Sequence, residues 1–170
     1  MYEKICLNHT SEIMRREDYK KKMSETVKSR DNILEKGKEI VNDMKLLDEF
    51  ESLDSLDEET KELIRKEIGE ASKEVKETFE NDVENELTEI EKEFETLQNE
   101  AKDKKDAAVQ MSRSIENTSF EYMKPNILSD AAKEAKDSEE IWQDNIEDIT
   151  EAKDTTQDRL KDLKSKLGGN

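Results

Sequence analysis

Residues 64–115 read IRKEIGEASKEVKETFENDVENELTEIEKEFETLQNEAKDKKDAAVQMSRSI, and their apolar positions decide the fold. From Ile64 they run Ile68, Ala71, Val75, Phe79, Val83, Leu87, Ile90, Phe94, Leu97 and Ala101, then Ala108, Met111 and Ile115. The steps are threes and fours, with one beat skipped at Lys104; they cover 51 residues in 14 steps, a mean of 3.64. That is the period of a nearly straight α-helix, not the 3.5 of a tight left-handed supercoil. The stretch holds no proline and one glycine, Gly69. Residues 56–116 are therefore expected to form one helix, roughly 90 Å long at ~1.5 Å per residue.

Composition supports helices that each bury one stripe. Charged residues make up 44% of the chain and hydrophobic ones 31%, which is too polar for a compact globule with a thick core. A disordered chain can share this balance, but it does not hold a helical period over such a length. The net charge of −17 is unevenly placed: residues 51–100 carry 19 acids and 6 bases, while residues 1–50 carry 11 of each. An acidic middle repels nucleic acid and anionic membranes, so neither is expected as a partner. It reads first as a solvated helix face, and second as a mimic of nucleic-acid charge or a surface for a basic partner.

The first helix is expected over about 11–50, capped by Thr10 or Ser11. Its stripe is Ile13, Tyr19 or Lys20, Met23, Val27, Leu34, Val41, Met44, Leu47 and Phe50, with Arg30 and Gly37 on two further beats. Gly37 costs about 1 kcal/mol against alanine in a helix interior, so it marks either a bend or a close crossing. A break there would give a shorter four-helix bundle. The basic run Arg15, Arg16, Lys20, Lys21 and Lys22 is broken by Glu17 and Asp18 and reads as the complement of the acidic middle.

Ser55 and Glu58 have the spacing of a capping box, which opens the second helix near residue 56. A turn centred on residue 53 would fold it antiparallel on the first and set Lys20 opposite Glu86. The next boundary spans Asn117 to Ser129, where Pro125 is expected to end regular helix. Ser129 or Asp130 would cap the third helix, over about 130–167, whose stripe is Ala135, Ser138, Trp142, Ile146, Ile149, Ala152, Thr156, Leu160, Leu163 and Leu167. Folded back about residue 123, it sets Leu163 opposite Val83. The expected fold is therefore all-α: one helical domain over residues 1–170, an elongated antiparallel bundle of three long helices. With these registers, all three overlap only along residues 79–93 of the second helix, leaving a two-helix hairpin at either end.

No chemistry converges. The chain has one cysteine, Cys6, and one histidine, His9, and lacks a glycine-rich phosphate loop, a Cys/His pair and a Ser/His/Asp set. The carboxylates follow solvent faces rather than an apolar pocket that would shift their pKa. No catalytic residue, cofactor or metal is expected. No apolar run is long enough for a signal peptide or a membrane span, so the expected location is the cytoplasm, with any export by a route that needs no classical signal. Phe120, Tyr122, Met123, Ile127 and Leu128 crowd the second boundary and are expected either to plug the bundle end or to bind a protein partner. The hairpin end near Leu46, Phe50 and Leu53 is the next candidate.

This signal-less, acidic, long-hairpin architecture resembles the helical targeting modules of type VII secretion substrates, the WXG and LXG families, and their small helical partners. The chain departs from their motifs, because Trp142 is followed by Gln143 and Asp144 inside a helix, and Tyr19 and Tyr122 lack an acid four residues on. No functional residue is carried across. The resemblance implies an export-related helical module attached to a toxin or pairing with one, and Gly168-Gly169-Asn170 would suit a junction to a further domain. The expected function is a non-enzymatic protein–protein interaction module, the targeting or assembly domain or the partner of a secreted effector, acting through a protein partner or self-association. A coiled-coil structural or chaperone-like protein is the second reading, and an acidic nucleic-acid-mimic inhibitor the third.

Overall fold

The computed structural model describes the backbone of residues 2–50, 56–117 and 125–168, and side chains within 15–47, 49, 56–115, 117 and 129–168. Among the described residues the chain is helical almost throughout, with no strand. The first helix is Tyr2–Phe50. The second runs without interruption through Glu58–Phe79, a π-helical turn at Glu80–Glu84, and Asn85–Asn117. The third is Pro125–Leu167. The all-α, three-helix architecture expected from the periodicity is what forms.

Several boundaries differ from the expected ones, each for a local reason. The first helix begins well before Thr10 and Ser11, which therefore lie inside it. The third opens at Pro125 rather than near residue 130, because a proline is accepted in a first helical turn, where no amide donor is needed. The cap of the second helix is Asp57, not Ser55, which lies outside the described residues. Its Oδ1 accepts from the Thr60 amide at 2.9 Å and its Oδ2 from the Thr60 hydroxyl at 2.9 Å. Those bonds, the amide first, hold the Asp57 carboxyl below the usual carboxylate range. Glu58 and Glu59 follow in the first turn, where the helix dipole favours them.

The contacts resolve into two compact units, each built from pieces of all three helices. One takes residues 1–23 and 92–153, the other residues 24–91 and 154–170.

In the first unit, the second and third helices run antiparallel with paired residue numbers that add to 248. Glu95 meets Lys153 at 3.6 Å, Gln98 bonds Thr150 at 3.1 Å, and Lys105 bonds Gln143 at 2.9 Å. The core centres on Trp142, Tyr19, Phe94 and Ile149, none more than 1% exposed. The Tyr19 and Trp142 rings meet edge to face, centroids 5.1 Å apart at 84°. The Tyr19 hydroxyl donates to the Leu97 carbonyl at 3.1 Å, which satisfies its polar end without water. Burial pushes the Tyr19 phenol well above its ordinary pKa, and the Glu100 and Asp148 carboxylates add to the shift.

In the second unit, Glu84 meets Lys164 at 2.6 Å, the pairing expected to within two residues from Leu163 and Val83. Asp31 on the first helix meets Arg159 on the third at 3.5 Å. Gly37 is the close crossing. A Cβ there would lie 2.8 Å from Leu163 Cδ1, 3.3 Å from Val83 Cγ1 and 3.6 Å from Phe79 Cε2. The first helix passes Gly37 unbroken, so the four-helix alternative does not form.

The register of the first helix on the second is the main correction. Glu86 meets Lys36 at 3.7 Å, not Lys20, a slide of sixteen residues or roughly 24 Å. The basic run accordingly reaches Glu100, which Lys22 approaches at 3.7 Å. Exposed ion pairs contribute about 0–1 kcal/mol each, whereas fully burying one large apolar side chain contributes about 1.5–3 kcal/mol. Seating Gly37 on Phe79 and Val83, and Tyr19 on Leu97 and Trp142, therefore outweighs matching charges. The slide also overturns the expected short overlap, because both units are built from all three helices.

Candidate interaction surface

The π-turn is the element that positions the second helix. Ala71, Val75, Phe79, Val83 and Leu87 are separated by four successive steps of four. At ~100° per residue such a run drifts by about 160° around a regular helix. One extra residue in a wide turn returns the stripe to the core. The Asn85 amide reaches five residues back to the Glu80 carbonyl, and Phe79, Val83 and Leu87 are at most 1% exposed.

Towards its start the second helix loses its cover. The pairing of Glu84 with Lys164 puts Leu167, the last residue of the third helix, level with residue 81. The second helix continues to Glu58, about 23 residues or roughly 34 Å further. Over that span Ile68 is buried, Ile64, Ala71 and Val75 are half-buried, and Leu63 is 61% exposed. On the first helix, Val41 and Met44 stay buried, Leu47 is half-buried and Leu46 is 57% exposed. The pairing of Lys36 with Glu86 puts Phe50, where the first helix ends, level with residue 72, so the two helices lie side by side without the third over about residues 72–81.

Other candidates offer less. An open groove of about 530 Å³ runs beside Thr96, Glu100, Asp103 and Lys104 in the first unit, with mixed charge and only Ala107 as an apolar wall. Met111, placed on the stripe by its spacing, is 57% exposed, because Ala108 and Ser112 take the core face one turn apart. Among the described residues no three His, Cys, Asp or Glu side chains gather as a metal site, and no helix is long and apolar enough to cross a membrane. The side chains of Cys6 and His9 lie outside those described.

The expected partner-binding cluster also falls outside what the structure describes. Phe120, Tyr122 and Met123 lie outside the described residues, and Ile127 and Leu128 fall within the third helix with side chains outside the described ones. At the hairpin end, Leu53 and the side chain of Phe50 are likewise outside, while Leu46 is exposed. The half-buried run Ile64, Ala71 and Val75 was readable as a stripe. The end of its cover was readable too, because folding the third helix back about residue 123 already ended it near residue 79 of the second, two residues from where Glu84 and Lys164 place it.

Comparison with protein families, with characterised proteins and with solved structures finds no match to this chain.

Proposed function

We propose that this chain is a non-enzymatic helical interaction module, whose partner covers the half-buried stripe between Glu58 and Phe79. The observation that carries the reading is the mismatch in length between helices: the second outruns the third by some 23 residues while keeping its apolar period. A stripe that repeats at helical spacing and is left half-covered suits a further helix. The architectural resemblance to type VII targeting helices supports a place in the export or assembly of an effector protein, as its attached domain or its companion.

The test is comparative capture from the source cells with the intact chain and with an Ile64→Glu/Val75→Glu variant. Both positions are only half-buried, so the variant should keep its far-UV helical signal. A protein retained by the intact chain and lost from the variant supports the module. Identical captured sets would remove this stripe as the binding surface. Mass-spectrometric identification of a secreted toxin or its transport machinery would support the export role.

A further inference from the structure

We draw no further inference here: the strongest candidate, the half-buried stripe of Ile64, Ala71 and Val75 near the start of the second helix, belongs to the surface already proposed, and nothing in the structure shows what covers it.

Discussion

Phe79 and Phe94 have no exposed surface and sit in different units, so each reports on its own core. Phe79→Ala and Phe94→Ala should each cost about 3–5 kcal/mol in urea unfolding, while Glu91→Gln should stay within roughly 0.5 kcal/mol. Similar small effects at all three would mean that the stripe is not a core. At Gly37 two terms oppose each other. Alanine recovers about 1 kcal/mol of helix propensity but pushes on Leu163, so Gly37→Ala should change stability little. Gly37→Leu has no such balance and should destabilise by about 1–3 kcal/mol through overpacking. Tyr19 carries a pH signature. Its phenol is held neutral by burial and by Glu100 and Asp148, so the stability it contributes is complete below the ordinary tyrosine value of about 10 and is lost as pH rises beyond it. The melting temperature of the native chain should therefore fall more steeply above pH ~10 than that of Tyr19→Phe. The spacing placed both Tyr19 and Lys20 near the core face and did not choose between them. The choice follows from the cost of burial: the hydroxyl is satisfied by the Leu97 carbonyl, while taking an ammonium out of water costs far more, and Lys20 is exposed.

The second helix shows how an average can conceal a local event. Its mean step matched a regular helix, yet four consecutive steps of four required a phase correction, and the π-turn supplies it. Removing one residue from that turn should then be benign. Deletion of exposed Asn81 converts the wide turn to regular helix with both flanking stripes still facing the core, and should preserve helicity and a melting temperature near that of the native chain. Deletion of exposed Glu89, within regular helix, would rotate everything after it by ~100° and should abolish cooperative unfolding. A severe effect of the Asn81 deletion would remove the phase-correction account. The cap at Asp57 makes a separate statement. Its folded pKa is lowered by the Thr60 amide and hydroxyl, so its contribution is present above the ordinary aspartate value near 4 and is lost as pH falls. Asp57→Asn keeps the acceptor oxygen without the charge, so part of the acid-limb loss in melting temperature should disappear. Helix identity was legible because one stripe per helix repeats many times. Helix starts were less so, because serine, threonine and aspartate all cap and several stood close together at each boundary.

At the scale of the molecule, register was the least legible feature. The third helix was placed to within two residues and the first was off by sixteen, because its register was counted from a turn centred on residue 53, whereas core fit sets it. Uneven cover has an observable counterpart in amide exchange. Protection along the second helix should fall from the Phe79–Leu87 turns towards Glu58, as the third helix is left behind. Uniform protection from Glu58 onward would mean that cover by the third helix is not needed there. The segmental construction also bears on synthesis. The hairpin made by residues 24–91 is complete long before residues 154–167 arrive to cover Phe79 and Val83. Translating the 62 residues between takes roughly 3–12 s at ~5–20 residues per second. Throughout that interval the nascent chain presents a leucine-, valine- and phenylalanine-lined face to the cytosol beside the ribosome. Holding chaperones that recognise such faces have a fixed window in which to bind, and it closes only when the third helix emerges.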